Sequence, residues 1–326
     1  MTSTLLSLRD LHIGIKRRHH RVDEIVRGVS LDVDAGEKVG IVGESGSGKT
    51  LTMLAILRLL ASPPLSVLEG EVLLDGEDLA SIGDRRLREV RGGEIAMVYQ
   101  DPMSSLNPLL HVGSQIEETL RAHGVSSEAA RVRTREVLLQ VGLDDPERVR
   151  LSFPHQLSGG MIQRVMIAMA LSTSPRVLIA DEPTTALDVT IQRQILELVT
   201  SLQATTHMAV LWVTHDLGVV ASLVDRVVVM YAGRIVETAT TPRLFERPSH
   251  PYTKALLESL PTQSTQHRSP LHQIGGTPPD PTQLSTGCPF RFRCPYVIAK
   301  CSEEEPPLID RGSSTAAACW RDPTEW

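Results

Sequence analysis

Two alternations of apolar and polar residues open the chain. Leu6-Ser7-Leu8-Arg9-Asp10-Leu11 and Val29-Ser30-Leu31-Asp32-Val33 put apolar side chains on one face of extended backbone, which predicts antiparallel strands between Leu5 and Asp34. The charged run Lys16-Arg17-Arg18-His19-His20-Arg21 between them reads as a solvated hairpin tip. Glu69 to Leu79, turning at Asp75-Gly76, predicts another hairpin. The pattern then changes. Val39–Val42, Gly93–Val98, Val177–Ala180 and Ala209–Val213 are short apolar runs of the kind that form buried strands. Leu51–Leu60 and Ile162–Leu171 read as helices. Between Val112 and Gly142 the apolar residues Ile116, Leu120, Val132, Val137, Leu138 and Val141 recur at helical spacing, which predicts a helical insertion between two core strands. Buried strands alternating with helices predict an α/β core, and no internal repeat is visible.

Composition divides the chain. Thirteen of the 21 prolines, seven of the 11 aromatic residues and all four cysteines lie after Thr240, which predicts a domain boundary near that residue. The 326 residues suffice for one large or two modest domains. A formal charge of −6 disfavours general nucleic-acid binding, which calls for a basic surface. No apolar run is long enough to cross a bilayer, and Met1–Asp10 lacks a signal-peptide pattern, so a cytosolic chain is expected.

The chemistry concentrates after the run Val39–Val42. Gly43-Glu44-Ser45-Gly46-Ser47-Gly48-Lys49-Thr50 sits between a predicted strand and a predicted helix, the context that a phosphate-binding loop requires. Its glycines allow successive backbone N–H groups to point into one cavity, and the following helix start adds its dipole. Lys49 is placed to reach β- and γ-phosphates and Thr50 to hold Mg²⁺. A plain glycine turn would not need the Lys-Thr pair at this spacing.

Later segments add polar groups at strand ends. Gln100 follows Gly93–Val98 and could offer an amide oxygen to Mg²⁺ or to water, although a glutamine there is often only a boundary residue. Leu157-Ser158-Gly159-Gly160-Met161 combines a hydroxyl, two glycines and a helix start. By itself it is a helix cap, and its position between the other motifs makes it a second phosphate-binding candidate. Asp181 and Glu182 end a buried strand, where adjacent acids are costly unless a cation or a reacting group meets them. Asp181 suits the water shell of Mg²⁺, and Glu182 suits the base that polarises a hydrolytic water. Thr184–Asp188 begins another helix, and His215 stands at the tip of the last apolar strand. Cys288, Cys294, Cys301 and Cys319 crowd a proline-rich segment of an otherwise cysteine-free chain, which favours metal ligation over disulfides. Their spacing fits neither the tight zinc pattern nor the bacterial ferredoxin run.

Together these motifs resemble the ATP-binding cassette of ABC transporters over about Leu5–Thr240. The resemblance implies an α/β P-loop NTPase cassette with a RecA-like core, an antiparallel β subdomain and a helical subdomain at about 101–170. A small irregular extension with a four-cysteine site, 241–326, would follow. It implies Walker A at Gly43–Thr50, the Q-loop at Gln100, the signature at Leu157–Met161 and Walker B at Val177–Glu182. Asp188 would be the D-loop acid and His215 the switch histidine. Ser158, Gly159 and Gly160 would serve the nucleotide held by a partner cassette. Two departures stand out: Met161 replaces a common glutamine, with Gln163 two positions later, and no aromatic residue precedes Lys49 to stack on adenine. His20 lies near that place, and modest base selectivity is expected.

Tyr99–Pro108, Phe153–Met161 and His250–Leu257 are similar to the peptide-importer branch, in which the chain matches the D-type ATPase subunit of oligopeptide/dipeptide importers. That resemblance implies ATP hydrolysis with Mg²⁺, energising uptake of di- or oligopeptides. It also implies a second ATPase subunit giving a heterodimer, two transmembrane permease subunits and an extracytoplasmic solute-binding protein. The chain would lie on the cytoplasmic face of the inner membrane. The family's extension resembles a [4Fe–4S] site, with Zn²⁺ or free thiols as the alternatives. Related importers carry nickel chelates, glutathione or oligosaccharides, so the solute stays open. A non-transport cassette ATPase is a remote alternative, since neither a second cassette nor a coiled coil is present.

Overall fold

A computed structural model of the chain describes residues 4–17, 22–101, 105–185, 187–260, 273–280, 282, 284 and 286–326. The strands in chain order are β1 (Thr4–Lys16), β2 (Val22–Asp34), β3 (Lys38–Val42), β4 (Leu65–Leu74), β5 (Glu77–Asp78) and β6 (Ile95–Val98). They continue with β7 (Val177–Asp181), β8 (Ala209–Thr214), β9 (Arg226–Tyr231), β10 (Arg234–Thr240), β11 (Ile309–Gly312) and β12 (Thr315–Ala317). Contacts divide the chain into two units, one of residues 4–33, 38–80 and 212–326 and another of 34–37 and 81–211. Among the described residues no helix is long and apolar enough to cross a membrane.

In the first unit the N-terminal alternation becomes a sheet of order β2-β1-β4-β5, with β1 antiparallel to β4. Leu6, Leu8, Leu11 and Ile13 are all buried, which a single unbroken alternation cannot achieve because its phase changes between Leu8 and Leu11. A bulge supplies the extra residue: the register shifts between Arg9 and His12, and Asp10 takes φ 45°. The second sheet of this unit runs β11-β12-β10-β9-β3. β3 lies parallel to β9, with Val39 opposite Arg226 and Val42 opposite Val229. Val227, Val228 and Val229 are buried, as the continuous apolar run of a two-sided core strand requires.

The helix after the glycine loop spans Lys49–Ile56, four residues short of the predicted end. Arg58 turns left-handed at φ 52°, Arg58 N–H donates to Ala55 O and Leu59 N–H to Leu54 O. This is a Schellman closure with arginine where glycine is usual, so the sequence carries no stop signal.

In the second unit β6 and β7 run parallel, with Ile95 opposite Val177 and Val98 opposite Ala180. The helical insertion comprises Val112–Ala122, Ser127–Gln140 and Pro146–Leu151, and Gly159–Leu171 leads back towards β7. Ser126 and Asp145 cap the second and third of these helices, and Pro146 occupies the first helical position. Ile116, Leu120, Val137, Leu138 and Val141 are buried as predicted, whereas Val132 is 49% exposed. The stripe that reaches the core is Ala130, Thr134, Val137 and Leu138, and Val132 falls outside it.

The segment after Thr240 belongs to the first unit and carries regular elements: helices Thr241–Glu246, Pro251–Glu258 and Lys300–Glu303, and the hairpin β11–β12 paired onto β10. Its aromatic residues supply a small core, with Tyr252 tilted against Tyr231 and Phe290 meeting it edge to face, at ring distances of 4.6 and 5.3 Å. Buried polar groups fix the entry to the second helix. The Glu237 carboxylate accepts Ser249 N–H at 2.6 Å and His250 N–H at 2.8 Å, and His250 Nδ1 accepts Tyr252 N–H at 3.1 Å.

These groups titrate in opposite senses. Burial pushes the Glu237 carboxyl up to about 7, so its contribution to stability is full below the ordinary carboxyl range and is lost as pH rises through 7. Burial pushes His250 down to about 3, so its contribution is present above the ordinary histidine value and is lost as pH falls. In His250→Asn, which keeps an acceptor and cannot take up a proton, only the Glu237 contribution remains. Thermal melts should then show the variant's deficit against the parent narrowing between pH 7.5 and 5. A deficit that stays constant or widens would contradict the buried neutral histidine.

Candidate functional site

The glycine loop closes against β9. At Gly43, φ 155°, a Cβ atom would lie 2.2 Å from the Met230 carbonyl oxygen and 2.9 Å from Ser47 Oγ, so no larger residue fits. Gly233 N–H donates to Ser47 O at 3.1 Å, tying the loop to the β9–β10 turn. Gly48, φ 98°, is the N-cap of Lys49–Ile56, with no side-chain cap and no acid in the first turn. The positive end of that helix is therefore left for an anion from outside it. Lys49 is only 5% exposed, and its Nζ donates to Gly43 O at 2.8 Å, Glu44 O at 2.9 Å and Ser47 Oγ at 3.5 Å. A buried ammonium needs such acceptors. Ser45, Gly46 and Thr50 are exposed. In the same unit His215 stands exposed at the end of β8, just before Asp216, which caps Leu217–Leu223.

The C-terminal segment reaches this loop. Glu44 N–H donates to the Tyr252 hydroxyl at 2.8 Å. The Arg293 guanidinium grips the Glu44 carboxylate through Nη1–Oε2 at 2.6 Å and Nη2–Oε1 at 2.9 Å. That contact holds the Arg293 pKa above its ordinary value, and burial raises those of Tyr252 and Tyr231.

The second unit holds the acidic site. All five residues of β7 are buried, Asp181 included. Glu182 follows at φ 46°, a left-handed conformation that costs a non-glycine residue about 1 kcal/mol or more and turns its side chain out of the strand's alternation. Its carboxylate accepts Gln100 Nε2–H at 3.1 Å and the Thr185 hydroxyl at 3.0 Å. These two donors orient the carboxylate, which suits a group that polarises water. Gln100 thus offers its amide N–H₂ to Glu182, which keeps its oxygen for another partner. Ser158 Oγ accepts Met161 N–H at 3.4 Å and caps Gly159–Leu171, while Asp188 Oδ1 accepts Ile191 N–H at 2.9 Å and caps Val189–Thr206. The two helices approach closely where Gly160 faces Ile191: a Cβ on Gly160 would lie 3.0 Å from Ile191 Cγ2.

The structure thus gathers Gly43–Thr50 and His215 in one unit and Gln100, Ser158, Asp181, Glu182 and Asp188 in the other. His20 lies outside the described residues. Sequence reasoning missed Thr185, Tyr252 and Arg293. Thr185 lay within a segment already singled out, but nothing local marks Arg293, which is 249 positions from its partner.

The four cysteines are unbridged and share one lobe, where Cys288 N–H donates to Cys301 O at 2.8 Å. Burial raises three of the thiols, Cys288 to about 12 and Cys319 to about 11, with Cys294 shifted the same way. Repulsion from neighbouring thiolates adds to the shift of these three. Among the described residues no three His, Cys, Asp or Glu side chains stand close enough together to hold a metal ion as placed.

Comparison with known proteins agrees with this geometry. A family model described as ABC transporter matches residues 26–185, and one described as Oligopeptide/dipeptide transporter, C-terminal region matches residues 236–301. The chain is 49% identical over 318 residues to a probable peptide ABC transporter ATP-binding protein of Sinorhizobium fredii, covering 97% of this chain and 95% of that one. It is 48% identical to the oligopeptide transport ATP-binding protein OppD of Bacillus subtilis, covering 97% and 88%. Among solved structures, the dimeric post-hydrolysis state of the ATP-binding cassette MJ0796, bound to ADP and Pi, superposes with a TM-score of 0.64 at 30% identity. That match covers 73% of this chain and 99% of the cassette.

Proposed function

Since this chain belongs to the ABC transporter family, among the ATP-binding subunits of peptide importers, we propose how its residues divide the work. It is an ATPase that energises peptide import through a membrane permease complex. The observation that carries this reading is the union, in one chain, of a phosphate loop and an oligopeptide-type C-terminal region. Residues 1–240 form the nucleotide-binding domain, with the helical subdomain at about 101–170, and residues 241–326 the extension.

ATP is held by its phosphates on Gly43–Thr50, with Lys49 moving from the loop carbonyls onto phosphate oxygens. Thr50, Asp181 and Gln100 offer hydroxyl, carboxylate and amide oxygens, a donor set that fits Mg²⁺. Mg²⁺ supplies charge neutralisation for the transferring phosphoryl group. Glu182 orients a water towards the γ-phosphorus and takes its proton, while the bond from that phosphorus to the bridging oxygen breaks and ADP leaves. His215 senses the γ-phosphate. Ser158, Gly159 and Gly160 serve the nucleotide of a second cassette, Asp188 is the D-loop acid, and His20 is the candidate for the adenine-stacking role.

The second cassette is a related subunit in a heterodimer. Two permease subunits and an extracytoplasmic solute-binding protein complete the assembly, and the chain works on the cytoplasmic face of the inner membrane. In the extension, soft thiol donors suit iron–sulfur or zinc chemistry. Cys288, Cys294, Cys301 and Cys319 would hold a [4Fe–4S] cluster, which would stabilise a lobe with little core, with Zn²⁺ as the alternative occupant.

Glu182→Gln is expected to lower ATP hydrolysis at least about a hundredfold while mant-ATP binding persists. Near-parent hydrolysis would remove Glu182 from the mechanism. Uptake of a labelled dipeptide and a labelled pentapeptide should fall in cells lacking this chain, and the more affected peptide reports the length preference. Unchanged uptake of both, in cells without another peptide importer, would point to a sugar or a metal chelate as the solute. Anaerobically purified protein should be brown, with about four iron atoms per chain. A colourless protein with one zinc per chain would replace the cluster with zinc.

A further inference from the structure

We propose that Arg293, in the C-terminal extension, is a positioning residue for the phosphate loop: it neutralises and fixes Glu44 so that the loop can accept a triphosphate. The inference rests on the assignment of Gly43–Thr50 as the ATP-binding loop.

A carboxylate in a loop built for phosphate is a liability. Like charges repel across such distances, the more so where water is partly excluded. Glu44 is that carboxylate, and its side chain is 25% exposed. Arg293 answers it with a forked contact at 2.6 and 2.9 Å from a side chain only 4% exposed. Every donor of the guanidinium is accounted for. Nε donates to Gly275 O at 2.9 Å, Nη1 also to the Tyr231 hydroxyl at 3.3 Å, and Nη2 also to Ile274 O at 3.4 Å. The side chain therefore has one geometry, set by the extension and by β9.

The backbone of Glu44 is held as well. Its N–H is bound by the Tyr252 hydroxyl, and its carbonyl accepts the Lys49 ammonium. Tyr252 is fully buried between Tyr231 and Phe290. The extension thus controls one residue at three points, its carboxylate, its N–H and, through these, the carbonyl that carries Lys49. A role in packing alone would not need a charge matched to a charge. Neutralisation predicts that removing the carboxylate makes the arginine dispensable.

The test measures mant-ATP binding with Mg²⁺ to the full-length chain in the parent, Lys49→Ala, Arg293→Met and the double variant Glu44→Gln/Arg293→Met, with thermal melts of each. Lys49→Ala should abolish binding. Arg293→Met should weaken it about tenfold, within the usual span of coupling between sites, and the double variant should return to within about threefold of the parent. If Arg293→Met does not fold, Arg293→Lys provides the readout, with binding between that of the parent and a tenfold loss. Parent-like binding by Lys49→Ala would overturn the loop assignment and this inference with it. Loss in Lys49→Ala together with parent-like binding in Arg293→Met, or no recovery in the double variant, would overturn the role of Arg293 alone.

Discussion

A lysine ammonium taken almost out of water has to be held. In this chain the loop that holds Lys49 is itself held from far along the sequence. The acceptors for Lys49 are the carbonyls of Gly43 and Glu44, and their position is set from two sides. Gly43 is wedged against the Met230 carbonyl, where no Cβ fits, and Glu44 is clamped by Tyr252 and Arg293. The hydrophobic packing of Tyr231, Tyr252 and Phe290 gives that clamp its rigidity. Ring contacts of this kind add about 1 kcal/mol each beyond burial, and they fix the tyrosine hydroxyl at one point.

This arrangement explains why the first half of the site was legible in the sequence and the second was not. A phosphate loop is local: glycine spacing, the Lys-Thr pair and the flanking strand and helix fall within some twenty residues. The acids at the end of β7 are equally local. Arg293 reads as one charge among many in a proline-rich tail, because the carboxylate it meets lies 249 positions away. The same distinction runs through the fold. Alternation located β1 but hid its bulge, since the residue that shifts the phase, Asp10, is an ordinary surface acid until Gly70 across the sheet allows its carbonyl to approach. Helical spacing located the insertion, but Val132 lies on the face opposite the buried stripe of Ala130, Thr134, Val137 and Leu138 and stays exposed. The helix after the loop ended early at Arg58, a residue with no breaking signal.

The acidic site shows a different economy. Glu182 is placed by a left-handed backbone turn and by donors from Gln100 and Thr185, one of them 82 positions upstream. A carboxylate so placed loses its freedom, and a fixed acceptor is what general base chemistry requires. Because Gln100 donates through its N–H₂ group, any shift of the segment that carries it alters the support of Glu182 directly.

Ser158 and Asp188 raise the question of whether a capping residue can also be a ligand-binding residue. Both satisfy a backbone N–H of their own helix, at 3.4 and 2.9 Å, so each has a sufficient structural reason to be present. The two roles are compatible because they draw on different lone pairs and donors. A serine hydroxyl that accepts from Met161 N–H still has its own proton to give, and a phosphate oxygen can take it. The long capping contact at Ser158 leaves that hydroxyl easier to recruit than a tight cap would. Asp188 has no proton to give, and its shorter cap holds one oxygen firmly, so what it can still offer is the other carboxylate oxygen as an acceptor. Capping geometry therefore separates the two residues chemically: Ser158 suits an anion, and Asp188 suits a donor such as a backbone N–H or a hydroxyl.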